Sequence, residues 1–439
     1  MRPWTLTALG AIAGAAAGFA VLSIAQGADT PDMRSAFGAL DRFGEAFAVV
    51  RAKYVEQPED KLLVENALNG MISDLDPHSS YFDPKTFADM QVKTAGSYGG
   101  VGLVIAADKG VIKVVSPIDD TPASRAGIKS GDSILAINGK GLEGLSLDKV
   151  QDLLRGPAGS KLTMTLMRAG DQKSFEVSLE RAAIEVEAVK SHREGDAGYI
   201  RIPAFNEHTS EGLEAAVRSL KKQIGPKLRG YIIDLRDDGG GVLDQAIAVS
   251  DDFLNGGEIV STRGRVPEDT QRYDAKPGDI TDGKPVIVLI NGGTASASEI
   301  VAGALQDHRR ATILGTTSFG KGSVQTIIPL NGGEDGALHL TTARYYTPSG
   351  GSIQATGIIP DIAVAGGDEQ ADTPRVLQPS ESDLPHHLQA EQGAKNAGTP
   401  ALIRPPPGSK IADFQLSYAL EVLDGKVSGN GHSKKAGTN

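Results

Sequence analysis

The sequence predicts an α/β chain, with an N-terminal helical segment and a small β-rich domain ahead of a larger layered core. Three observations carry this. Between residues 35 and 91 apolar side chains recur every three or four positions, the helical period. Between 97 and 180 short β-rich runs alternate with Gly and Pro. From about 197, near-continuous apolar strands alternate with amphipathic helices, the pattern of a sheet covered on both faces with right-handed crossovers.

The first 28 residues place Arg2 before an apolar, Ala/Gly-rich run from Ala8 to Ala25, followed by small residues through Ala28. A run of about 18 residues sits at the border of the membrane-spanning range. Two readings stay open for 1–28: a signal peptide cleaved near Ala25–Ala28, or an uncleaved membrane anchor. Both predict an exported, periplasmic protein, either released or held at the inner membrane.

Residues 29–95 read as the helical segment. Phe43, Phe47, Val50 and Tyr54 share one face, and Leu62, Leu63, Ala67, Leu68 and Met71 continue the period until Asp76-Pro77-His78-Ser79-Ser80 breaks it. Residues 96–181 form the β-domain, with runs at Val101–Ala106, Val111–Val115, Ser133–Ile137, Lys161–Met167 and Ser174–Leu179 and one helix at Leu147–Leu154. Residues 182–365 form the α/β core: strands at Gly198–Ile202, Tyr231–Leu235, Pro285–Ile290 and Ala311–Leu314, with helices at Leu213–Ile224, Gly241–Leu254 and Ser298–Asp307. Residues 366–439 are polar and rich in Pro, Gly and Ser, which predicts a largely disordered tail with one short helix near Phe414–Leu423.

Composition removes several classes of function. The net charge is −11 with no basic block, so a nucleic-acid partner has no electrostatic footprint. The 439 residues include no cysteine, which excludes thiol proteases, disulfide frameworks and thiolate zinc sites. Glycine is abundant, 54 residues, so its clusters mark tight turns and close backbone approaches.

Three such clusters bear on chemistry. The strand Pro285–Ile290 runs through Asn291-Gly292-Gly293-Thr294-Ala295-Ser296-Ala297-Ser298-Glu299 into a helix. A serine entering a helix N-terminus lies beside unpaired amide N–H groups that favour a developing anion, a suitable place for a nucleophile. The plainer alternative is that Ser298 caps the helix. The second cluster, Thr317-Ser318-Phe319-Gly320-Lys321-Gly322-Ser323, hems a lysine between glycines ahead of apolar Val324, Ile327 and Ile328. Burial would lower its pKa and let the neutral amine act as a general base, unless it is simply a surface loop lysine. The third, Asp234-Leu235-Arg236-Asp237-Asp238-Gly239-Gly240-Gly241, ends a buried strand in a turn that can aim amides into a site, or merely connect strand to helix.

Gly315 to Lys321 also reads G-x-x-x-x-G-K after a strand, close to a phosphate-binding loop. Gly322 replaces the magnesium-ligating hydroxyl, and Val324–Pro329 reads as strand rather than helix, so nucleotide binding is disfavoured.

In this order the clusters resemble the C-terminal processing peptidases, also called tail-specific proteases, down to S-A-S-E and F-G-K-G at the family's spacing. The resemblance runs over about residues 40–365 and includes Asp76 to Phe82, Leu340 to Gly350 and Gly357 to Asp361. It implies a crotonase-like (ClpP/crotonase-type) spiral protease core with an inserted PDZ domain. It further implies a serine endopeptidase acting through an acyl-enzyme, with no metal or cofactor. Ser296 would be the nucleophile, Lys321 the base, and Gln325 the residue orienting the lysine. The amides of Gly241 and Ala297 would form the oxyanion hole. Thr294 stands where many members carry another serine, and Gly351 where arginine or lysine is common.

The β-domain has its own signature. Tyr98-Gly99-Gly100-Val101-Gly102-Leu103-Val104 is a glycine turn running into a strand, able to point amides at a carboxylate while the strand edge accepts a peptide. With Pro122 to Ile128 and Gly131 to Gly139 it resembles bacterial PDZ domains over about 97–169. The resemblance implies that Gly100, Val101, Gly102 and Leu103 bind substrate proteins or peptides with apolar C-termini. Arg155, ending the PDZ helix, is either a solvated cation or a relay to the protease core. The rival reading of the whole is a PDZ scaffold with a degenerate core. Beyond substrates, the partners kept open are an adaptor protein and a second copy of the chain in a homo-oligomer.

Overall fold

The computed structural model describes residues 33–108, 111–118, 120–168, 173–185, 187–366, 380–391, 398, 400–406, 408–409 and 411–427. The segment 1–28 lies outside them, and among the described residues no helix is long and apolar enough to cross a membrane. The chain divides into two compact units at Met71 and Ile72. The first holds the helix Met33–Lys53 and most of the helix Asp60–Ser73. The period marking Phe43 and Val50 does form a helix, with those side chains exposed, and Tyr54 follows its last residue.

The helical segment was expected to reach residue 95, but the larger unit takes up its end. Ser80–Phe82 pairs antiparallel with Ala337–Tyr346, and Phe87, on the helix Pro84–Ala95, is buried. Asp83 caps that helix by accepting from the amides of Lys85 and Thr86, with Pro84 at the first helical position.

The β-domain is an antiparallel sheet in the order Leu103–Asp108, Val111–Pro117, Ser133–Ile137, Lys161–Met167, Phe175–Glu180. Its alternating residues Ile112, Val114, Ile134, Met164 and Leu166 close over Val150 of the helix Leu147–Leu154. Arg181 is buried at that helix's C-terminus and donates to the carbonyls of Leu153 and Leu154, satisfying groups a helix end leaves open.

The core is built on a six-stranded sheet in the order Lys190–Glu194, Ala197–Arg201, Gly230–Asp234, Val286–Ile290, Thr312–Gly315, Ile362–Ala363. The first pair is antiparallel and the rest parallel. Sheet order follows chain order, so each crossover advances one strand, the progression expected of a spiral core. The turns that leave Gly230–Asp234, Val286–Ile290 and Thr312–Gly315 therefore emerge side by side at the carboxyl edge, and these are the three glycine clusters.

Successive residues of these strands face opposite layers. Ile233, Leu235, Val288, Ile290 and Ile313 pack with the helices Thr209–Ile224, Leu243–Asp251 and Ala297–Asp307. Ile232, Ile287, Leu289 and Leu314 point the other way and need a second cover. The tail supplies it, which corrects the expectation of disorder over most of 366–439. Phe414, Tyr418 and Ala419 of the helix Phe414–Leu423 bury against that face, Ile403 bridges to Val364, and Arg236 pairs with Asp413 at 2.8 Å. A second sheet is centred on Ala337–Tyr346, flanked by Ser80–Phe82, Ser323–Pro329 and Gly257–Arg263, with Gln271–Ala275 beyond. Phe414→Ala is expected to lower the unfolding free energy by about 3 kcal/mol in urea titration; an unchanged midpoint would show that the sheet face does not depend on this cover.

Candidate active site

Ser296 sits at the N-terminus of the helix Ala297–Asp307 with φ +57 and ψ −117, a conformation strained for any residue with a side chain. Its hydroxyl is hydrogen-bonded to the Tyr345 hydroxyl at 2.8 Å. The turn from Gly230–Asp234 lies directly against it. A Cβ on Gly240 would come within 2.7 Å of the Ala295 carbonyl and 2.8 Å of the Ala297 nitrogen, so only glycine permits this approach. Asp238 fixes the turn: its Oδ1 accepts from Gly240 N at 2.8 Å and its carbonyl from Ala295 N at 2.9 Å. Burial pushes the Asp238 carboxyl up to about 7, and its Oδ2 is buried with no hydrogen-bond partner among the described residues. The amides of Gly241 and Ala297 have no acceptor among the described residues.

The neighbouring hydroxyls have structural partners. Thr294, fully buried, donates to the Leu235 carbonyl at 2.7 Å. Ser298 does not cap the helix; it donates to the Asp238 carbonyl at 3.2 Å and so ties helix to turn.

Lys321 follows Thr312–Gly315 in the next loop. Gly322 beside it packs on the 352–357 turn, where a Cβ would meet Gln354 N at 2.5 Å. Burial drives the pKa of the Lys321 amine below the usual lysine range, while the charges of Glu381, Glu299 and Asp76 pull it back up. Lys321 makes no hydrogen bond to Ser296 in this arrangement. Gln325, expected on the lysine, donates instead to Ser323 Oγ at 2.9 Å and Thr341 Oγ1 at 3.0 Å. Thr341 in turn donates to Asp76 at 3.1 Å, so Gln325 reaches the lysine's surroundings through a relay.

Glu299 joins the two loops. Fully buried, it accepts from Ser296 N at 2.8 Å, Ser318 Oγ at 2.5 Å, Gly320 N at 2.8 Å and Lys321 N at 2.9 Å. Burial pushes its pKa up to about 7, against donors that favour the carboxylate. In the sequence Glu299 stands in the serine motif with no sign of this role. The spacing Ser296-x-x-Glu299, that of a capping box, was the available signal. Asp76, His78 and Tyr345 lie in segments that carry the family resemblance, with no residue-level sign of a place in the site, and Glu381, in the polar tail, has no local signal at all. Among the described residues, no group of three or more His, Asp or Glu could hold a metal ion.

In the β-domain, Tyr98, Val101, Gly102, Leu103, Ile105, Gln151, Leu154 and Arg155 line a cavity of about 100 Å³ between the Leu103–Asp108 strand and the helix. Arg155 stacks over the Tyr98 ring at 5.3 Å and donates to Asp89 of the helix Pro84–Ala95 at 3.2 Å. It thus joins the groove to that helix. The same helix accepts a hydrogen bond from the core at Thr94 O from Glu207 N, 3.0 Å.

Family comparisons agree with this layout. Residues 196–364 match the model of peptidase family S41, 113–168 the model of the PDZ domain, and 12–86 that of the activating protease CtpB N-terminal domain. The carboxy-terminal-processing protease of Bartonella bacilliformis is 50% identical over 419 residues, covering 95% of each chain. The carboxy-terminal processing proteases CtpA and CtpB of Bacillus subtilis are 36% and 33% identical. The matches cover 73% and 79% of this chain and 68% and 74% of theirs.

Removing Glu299 strands four donors, three of them buried. Glu299→Ala is expected to destabilise the protein by about 3 kcal/mol in urea unfolding. A loss below about 1 kcal/mol would mean the two loops hold each other without it.

Proposed function

We propose that this chain, which belongs to peptidase family S41, the carboxy-terminal-processing proteases, and is a serine-type peptidase, cleaves exported proteins through an acyl-enzyme formed on Ser296. Neutral Lys321 takes the hydroxyl proton as Ser296 attacks the peptide carbonyl, and the amides of Gly241 and Ala297 receive the oxyanion. As the tetrahedral intermediate collapses the C–N bond breaks and Lys321 gives the proton to the departing amine; the neutral lysine then takes a proton from the water that attacks the ester and returns it to Ser296 Oγ as the new carboxyl product leaves.

The observation that carries this reading is the convergence of a strained serine, two amides without acceptors and a partly buried lysine on one carboxylate-pinned edge. The serine hydroxyl rests on Tyr345, so attack requires it to turn toward Lys321. Such hydrogen bonds commonly tighten only when substrate is bound. Gln325 supports the base at one remove, through Thr341 and Asp76.

Substrate selection follows from the PDZ groove. Its strand edge offers backbone pairing, and Val101, Leu103, Ile105 and Leu154 offer an apolar pocket, so an extended chain end with an apolar last residue fits it. Arg155, held between Tyr98 and Asp89, is placed to pass occupancy of the groove to the Pro84–Ala95 helix and so to the core. Export is carried by residues 1–28, as a signal or an anchor.

Ser296→Ala and Lys321→Ala are each expected to reduce cleavage of a peptide with an apolar C-terminus on the order of 10⁴-fold while leaving tail binding intact; wild-type cleavage by Ser296→Ala would end the proposal. Gly240→Ala, which misplaces the oxyanion turn, should cost about 100-fold in kcat/KM with an unchanged circular dichroism spectrum. The amine works only uncharged, so kcat/KM should fall as pH drops through the depressed pKa of Lys321. A flat profile from about pH 5 to 9 would rule Lys321 out as base.

A further inference from the structure

The segment 380–391 comes from the polar tail, yet it is strapped to the site at several points. Glu381 N donates to the Phe319 carbonyl at 3.0 Å, and Gln354 Nε2 donates to both Glu381 Oε1 at 2.9 Å and the Leu388 carbonyl at 3.0 Å. Farther along, Arg344 donates to the Gln389 carbonyl at 2.9 Å and Tyr346 to Glu391 at 2.6 Å. These contacts deliver Glu381 into the interior, where it is fully buried. A buried carboxylate demands compensation. His78 Nε2 lies 2.7 Å from Glu381 Oε2, Gln354 supplies one amide hydrogen, and the remaining positive charge in reach is Lys321.

The link to Lys321 is twofold. Gln354 holds the carboxylate with its Nε2 and the lysine loop with its Oε1, which accepts from Gly322 N at 2.9 Å. Among the charges acting on the amine, Glu381 is the largest opposing the effect of burial, ahead of Glu299 and Asp76. The other titratable groups around this point are His78, bonded to Glu381, and His339 on the strand Ala337–Tyr346.

We propose that Glu381 is a positioning residue for the reaction: carried in by the C-terminal strap, it acts on Lys321 through Gln354 and through its own charge, and thereby restrains the base. This rests on the reading of Lys321 as the base. The strap makes the proton affinity of the amine a property of the tail as well as of the core. With Glu381 in place the amine keeps its proton to higher pH; with the charge removed it gives the proton up sooner.

The test is the pH profile of kcat/KM on a tailed peptide for wild type, Glu381→Gln and Glu381→Asp, with Ser296→Ala as blank and folding followed by urea unfolding. Glu381→Gln keeps the shape and removes the charge. Its acid limb is expected to move down by about one pH unit, which is about tenfold more activity at a pH on that limb. Glu381→Asp draws the carboxylate back by one methylene and should move the limb the same way by less, giving a reading if Glu381→Gln does not fold. An acid limb that stays in place in either folded variant overturns the inference, as does a folded Glu381→Gln inactive at every pH. Full cleavage by Lys321→Ala would instead sink the base assignment itself, so the two failures are distinguishable.

Discussion

Four hydrogen bonds converge on the carboxylate of Glu299, and through them two separate loops become one site. One loop brings Ser296 and the other brings Lys321. Hydrogen bonds to an ionised acceptor in a low-dielectric interior are strong, and the same burial makes their loss costly. The strained backbone of Ser296 is held by this grip on its N–H, by the glycine turn behind it and by the helix that begins at Ala297. Strain persists where the surroundings over-determine it.

The sheet explains why these loops meet. Adjacent parallel strands release their turns at one edge, and the strands carrying the three glycine clusters are neighbours. Their apolar side chains alternate between two faces, so the site is rigid only if both are covered. Helices between the strands cover one face, and the helix Phe414–Leu423 covers the other. The Arg236 guanidinium, bonded to Asp234 and to Asp413, pins that cover next to the turn that carries Gly241.

Lys321 stands between opposed forces. Burial favours its neutral form, while Glu381, Glu299 and Asp76 favour the cation. Those carboxylates come from the tail, the helix Ala297–Asp307 and the segment before Ser80–Phe82. The proton affinity of the Lys321 amine is therefore set by three parts of the chain. The β-domain reaches the core through the Pro84–Ala95 helix, where Arg155 meets Asp89 and Thr94 meets Glu207.

The sequence alone determined the α/β class, the β-rich domain, the strands of that domain and of the main sheet's centre to within a residue or two, and the positions of the three glycine clusters. These follow from local signals: periodicity, turn residues and ordered motifs. Only the tertiary structure decided that Gln325 bonds Thr341, that Tyr345 holds the Ser296 hydroxyl, and that Glu381 lies buried against His78 and Gln354. It also decided that part of the polar tail packs against the sheet. No local pattern carries such facts. A hydrogen bond between residues far apart in sequence exists only once the sheet has set their distance, and a carboxylate in a polar segment reads as solvated until partners such as His78 and Gln354 are found to enclose it.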